Sequence, residues 1–243
     1  MRILTGLNDM KIPWKDKSSF FCFTPEVMLV TFVAEFLIAA YAYLRFRGTL
    51  FGKLSILILL LLGSFQFAEY RICTGDNMIF WARLGFIIIT LLPPLGIHLV
   101  SIVTGNRNFL RFAYTLAGVF ILIFAFVPRS ITGGVCGGNY IIFSTAQELY
   151  WTYGVYYLGL LFIGIFDALG KLKGDRPWEN KNANVLLWMI LGYFSFMVPM
   201  GLTYFIFPET AMAVASVMCG FALTFAFILG FIIAKKYDEI HKS

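Results

Sequence analysis

The residues with chemistry to offer are few, and they sit in strongly apolar surroundings. Glu35 lies ten residues into one apolar run, and Glu69 closes a second that also holds Gln66. Arg83 opens a third, just beyond the short segment 71–77. An ionisable group at a transmembrane helix centre costs roughly 2.5–3.5 kcal/mol on insertion scales. Glu69 and Arg83, of opposite sign on consecutive helices, are therefore expected to pair inside a bundle. Glu35 is expected roughly 15 Å along its helix axis, close to mid-bilayer. Thr31 and Ala39 share its face at i−4 and i+4, and Gln66 and Glu69 share theirs at i, i+3.

Together these side chains predict an outward-opening cavity. Glu35 forms its floor, Gln66, Glu69 and Arg83 its wall, and Glu148, Tyr153 and Tyr157 its mouth. The expected ligand is small or lipid-like. Simpler roles exist for the same residues. Glu69 and Arg83 would lock two helices together, and tyrosines at a helix end would anchor at the membrane interface. His98 would bond one helix to another, and Asp167 would pair with Lys171 at i+4. Pro93, Pro94 and Pro199 are the expected hinge positions, because proline cannot complete the helical hydrogen-bond ladder.

Catalytic and cofactor chemistry has little to stand on. A metal-dependent hydrolase needs a His and carboxylate cluster, and the histidines are His98 and His241 alone. A retinal-type photoreceptor needs a lysine inside a late span, where the chain offers Lys235 and Lys236 at the inner edge. No Gly-rich nucleotide loop and no Ser-His-Asp set is visible. The chain reads as no enzyme, with no cofactor and no metal.

The elements that must position these groups are membrane helices. The chain is 60% hydrophobic and 13% charged, with a mean hydropathy of +0.81. Soluble domains carry about 25% charged residues. Seven apolar runs approach the ~20 residues of a helical span: Pro25–Leu44, Leu54–Tyr70, Met78–Val103, Leu110–Val127, Gln147–Leu169, Val185–Phe207 and Ala211–Ala234. Runs such as LSILILLLLG lack the alternation of a barrel strand. The expected fold is all-α, a polytopic bundle of seven transmembrane helices. Residues 1–24 form an extracytoplasmic segment, 25–234 the transmembrane domain and 235–243 a short cytoplasmic tail.

Orientation follows the placement of Lys and Arg. With the N-terminus outside, the inner loops hold Arg45, Arg47, Lys53, Arg107, Arg111 and the basic clusters at 171–181 and 235–242. The expected location is the cell membrane, N-out and C-in. The net charge of +6 then meets anionic lipid headgroups, and no nucleic-acid partner is called for. Cys22, Cys73 and Cys136 fall on the outer side, where an oxidising compartment permits disulfides. A Cys73–Cys136 bond is one pairing, and three outer cysteines leave the choice open. Cys219 reads as a buried hydrophobe. The outer loop VPRSITGGVCGGNYIIF is expected to be adaptable, with its tail 140–143 on the membrane or over the bundle mouth.

Ala68-Glu69, Trp81-Ala82-Arg83-Leu84-Gly85, Leu92-Pro93-Pro94-Leu95 and Thr104-Gly105 occur in that order. In this block of about 40 residues the chain resembles the seven-transmembrane sensor region at the N-terminus of many prokaryotic histidine kinases. The resemblance implies reception of a signal from outside or from the membrane. It supplies neither a ligand nor a catalytic residue. The family's cytoplasmic output domain is missing, because the sequence stops nine residues after Ala234. The implied protein is a stand-alone receptor-like module, signalling through a separate partner at the cytoplasmic face. The alternatives are a small proton-coupled transporter using Glu35 or Glu69, and an accessory membrane subunit.

Overall fold

The computed structural model describes residues 24–75, 77–136, 141–174, 181–206 and 213–242. The N-terminal segment, with Cys22, lies outside the described residues, as do Tyr140 and the side chains of Gln147 and Glu148. Of the described residues 86% are helical. In order, the elements are α1 (Pro25–Phe46), α2 (Leu50–Cys73), α3 (Met78–Thr90), α4 (Leu92–Thr104), α5 (Leu110–Phe126), β1 (Ile131–Cys136) and β2 (Ile141–Thr145). There follow α6 (Gln147–Gly174), α7 (Lys181–Ile206), α8 (Val214–Phe227), a π-helical segment (Ile228–Ile233) and α9 (Ala234–Lys242).

Among the described residues, six helical stretches, with α3 and α4 counted together and α8 through α9 counted together, are long and apolar enough to cross a membrane. This is a multi-pass membrane protein. The fourth apolar run forms the shorter helix α5. It starts beside the end of α4 and finishes beside Arg83 in the first half of α3, so it follows the length of the bundle. Large apolar side chains face outward all round, among them Val30, Leu44, Phe126, Val155 and Phe205. A hydrocarbon surrounding accommodates such a surface, and water does not.

Local signals set several helix ends. Pro25 occupies the first turn of α1, where its missing N–H is no loss. Thr49 caps α2, its Oγ1 accepting from the Gly52 N–H at 3.0 Å. Asn77 caps α3 through the Phe80 N–H at 3.3 Å; Asp76 lies outside the described residues. Gly105, at φ 79°, ends α4 in the left-handed conformation that glycine adopts without strain.

One face of α1 is buried at Met28, Thr31, Glu35, Ile38, Ala39, Ala42 and Phe46, the three-to-four spacing of a packed helix. Gly63 lets α2 approach it closely, since a Cβ there would strike the Phe36 ring at 2.7 Å and the Glu35 Cβ at 3.5 Å.

The all-α expectation misses one element. β1 and β2 pair antiparallel, with Gly134 opposite Phe143 and Cys136 opposite Ile141. Cys73 and Cys136 form a disulfide, which ties the hairpin to the end of α2. Ile131, Ile141 and Phe143 are buried. The Phe143 ring lies 5.1 Å from Phe86 and 6.3 Å from Phe65. The hairpin thus folds over the bundle end.

Candidate functional site

Three of the expected residues come together beneath that hairpin. Glu35 on α1 is 0% exposed, and Gln66 and Glu69 on α2 are 2% and 1% exposed. Glu35 and Glu69 interact electrostatically. Neither Glu35 oxygen has a hydrogen-bond partner, and the same holds for Glu69 Oε1 and Gln66 Nε2. Leaving a buried polar atom without a partner costs about 1–3 kcal/mol, more for a charged group. Two carboxyls in one apolar interior add like-charge repulsion to that cost.

Helix α8 supplies Ser216, which the sequence reading left aside, and Cys219, expected as a buried hydrophobe and found buried. The Ser216 side chain faces the Glu69 carboxyl, and its Oγ accepts the Ile141 N–H of β2 at 3.3 Å. One hydroxyl thereby stands between the hairpin and the buried acid. Cys219, three residues on and buried, lies close to both Glu69 and Glu35. Ser216 and Cys219 share a face at i, i+3 within an apolar run, and that spacing was the available signal. On the far side of Glu35 the π-helical segment passes close to α1, where a Cβ on Gly230 would collide with Ile38. Such π segments occur often at functional sites.

The expected pairing of Glu69 with Arg83 does not form. The Arg83 guanidinium donates to the Pro128 carbonyl at 2.6 Å and the Val127 carbonyl at 3.5 Å. It therefore closes the C-terminal end of α5, where unpaired carbonyls and the negative helix-dipole end favour a cation. The packing of α2 on α3 explains the separation. Gly85 lets Phe65 and Ala68 approach, since a Cβ there would lie 3.2 Å from the Phe65 ring. This interface buries Ala82 and Phe86, and Glu69 and Arg83 end up on different sides of it. Arg83 is not part of the carboxyl site.

The tyrosines divide. Tyr153 lies in an aromatic cluster with Phe86, Phe120 and Phe124, and its hydroxyl is 3.1 Å from Thr90 Oγ1. Tyr157 is buried and lies near Cys219, which places it one residue away from the carboxyls. Neither tyrosine stands at an open mouth. The Glu35 site is enclosed, with the hairpin above it, so the expected outward opening is corrected to a covered site.

The hinge expectation also splits. The helix breaks at Leu91, between α3 and α4. Pro94 has no N–H to offer the Thr90 carbonyl, and the Tyr156 hydroxyl donates to that carbonyl instead, at 2.6 Å. Pro199 does not break its helix, and α7 runs on from Lys181 to Ile206. At the other end of the bundle, Asp167 accepts from Thr104 Oγ1 at 3.0 Å and from Asn106 Nδ2 at 2.6 Å. The expected i+4 pair with Lys171 gives way to these two bonds. His98 Nδ1 and the Tyr114 hydroxyl lie 3.0 Å apart and join α4 to α5.

No family model, curated protein or solved structure matches this chain.

Proposed function

We propose that this protein is a receptor-like sensor of seven membrane passes, N-out and C-in, that reads a small or lipid-like ligand at Glu35, Gln66 and Glu69. The observation that carries the reading is the Ser216 side chain, which faces the Glu69 carboxyl and whose Oγ accepts the Ile141 N–H of the tethered hairpin. A proton, cation or donor arriving at Glu69 competes with that hydroxyl for the carboxyl, and the Ser216 side chain that holds the hairpin amide is then free to turn. The placement of Lys and Arg in the alternate loops supports the hairpin side as the outside. Resemblance to histidine-kinase sensor regions over Ala68–Gly105 supports signalling through a separate partner. A ligand shifts such a protein only by binding two arrangements with different affinity. The α3–α4 break at Leu91 is where a second arrangement is easiest to reach.

Native mass spectrometry of protein purified in mild detergent tests this reading. A bound mass is expected on the wild type and is lost from Glu35→Gln with Glu69→Gln. Identical adducts on both proteins overturn the reading.

A second reading, a proton-coupled transporter, draws on Glu35 alone, whose two oxygens lack partners in mid-helix beside the π-helical segment. Uptake into proteoliposomes driven by a pH gradient and abolished by Glu35→Gln would favour it.

A further inference from the structure

At the bundle end opposite the hairpin lies an open cleft of about 490 Å³, lined by Thr104, Asn106, Phe109, Phe166, Asp167 and Lys171 among others. We propose that this cleft binds a phospholipid with a primary-amine headgroup, the ammonium on Asp167, the phosphate towards Lys171 and an acyl chain along Phe109 and Phe166.

Three observations lead there. The first is charge with order behind it. Thr104 and Asn106 each donate to one Asp167 oxygen. Both donors are neutral, so they orient the carboxylate without cancelling its charge, and each oxygen keeps acceptor capacity. Lys171 stands one helical turn further along the same face of α6. A negative and a positive group at that spacing complement the ammonium and phosphate of one zwitterionic headgroup.

The second is depth. The apolar stretch of α6 runs from Leu149 to Lys173, so Asp167 and Lys171 occupy its last two turns. This is the level at which headgroups meet hydrocarbon. On the apolar side of Asp167, Phe166 is 66% exposed and Phe109 43% exposed, two aromatic side chains that an acyl chain would cover.

The third is room. Gly170 also lines the cleft, and a Cβ there would meet nothing within 4 Å. The absent side chain keeps the way open between the acid and the base. A primary ammonium can hydrogen-bond Asp167, whereas a quaternary choline cannot, and this sets the expected preference.

The full chain, delipidated in mild detergent, is titrated with phosphatidylethanolamine, phosphatidylcholine and phosphatidylglycerol of matched chains and followed by native mass spectrometry. The wild type should bind phosphatidylethanolamine about tenfold more tightly than phosphatidylcholine, the scale of one charge-assisted hydrogen bond. Asp167→Asn should erase the difference. Gly170→Leu, which leaves Asp167 and its donors intact, should weaken binding of every lipid class. Soluble phosphoethanolamine should compete weakly, because it lacks the chain that the aromatic wall covers. Equal binding of the two zwitterionic lipids overturns the proposal. So does a preference that survives Asp167→Asn, so does binding that Gly170→Leu leaves unchanged, and so does full displacement by the soluble headgroup.

Discussion

The two ends of this bundle handle acidic residues in opposite ways. Beneath the hairpin, Glu35 and Glu69 are buried, and three of their four oxygens have no hydrogen-bond partner. At the other end, Asp167 faces a cleft, and both its oxygens are bonded. The donors decide the difference. α4 ends beside Asp167 with Thr104, and the left-handed Gly105 turns the chain so that Asn106 also reaches it. Among the described residues, none donates a hydrogen bond to Glu35. An acid whose neighbours satisfy it is held in one orientation. An acid whose neighbours do not is poised for something that arrives.

This contrast can be broken experimentally, beginning with the largest effect. Removing the Cys73–Cys136 bond, by serine at both positions, frees the hairpin above the carboxyls. With the two cysteines 63 positions apart, a loss of about 4 kcal/mol in unfolding free energy is expected on the chain-entropy model. Denaturation in detergent measures it. Hydrogen exchange at Ile141 should accelerate in the same variant.

Glu35→Leu and Asp167→Leu should then move stability in opposite directions. Replacing a buried unpaired acid by an apolar residue of similar size removes a cost, so Glu35→Leu should stabilise by about 1–3 kcal/mol. Asp167→Leu strands the Thr104 and Asn106 donors and should destabilise by about 1–3 kcal/mol. Thermal melts of the two variants side by side decide it, and shifts of the same sign would remove the distinction between the two ends.

Ser216→Ala isolates the link between hairpin and acid. It should cost about 1 kcal/mol and speed exchange of the Ile141 amide while leaving helix content unchanged by circular dichroism. Tyr156→Phe leaves the Thr90 carbonyl without its donor at the Pro94 break. Its expected cost is also about 1 kcal/mol or slightly less, with faster exchange confined to the residues around Leu91.

The apolar runs were legible because a helix in hydrocarbon must satisfy its own backbone and present apolar side chains outward. Helical phase was legible too. Gln66 with Glu69 on one face, and Thr31 with Glu35 on another, follow from 3.6 residues per turn. Partnership across helices was not legible in the same way. Arg83 stands 14 positions from Glu69 in sequence, yet its partner is the end of α5. Contact between neighbouring helices depends on rotation about their axes, and Gly85 against Phe65 set that rotation. The hairpin was hidden because two Gly-Gly pairs carry no strand pattern.

The sequence by itself determined that this is a membrane protein, how its helices alternate polar and apolar faces, and which faces carry acids. Composition and period suffice for that, since each is a property of single segments. The tertiary structure alone decided which acid finds donors, which cation caps a helix and what covers the buried pair. Those outcomes turn on packing between segments far apart in the chain, where one glycine or one serine sets the distance.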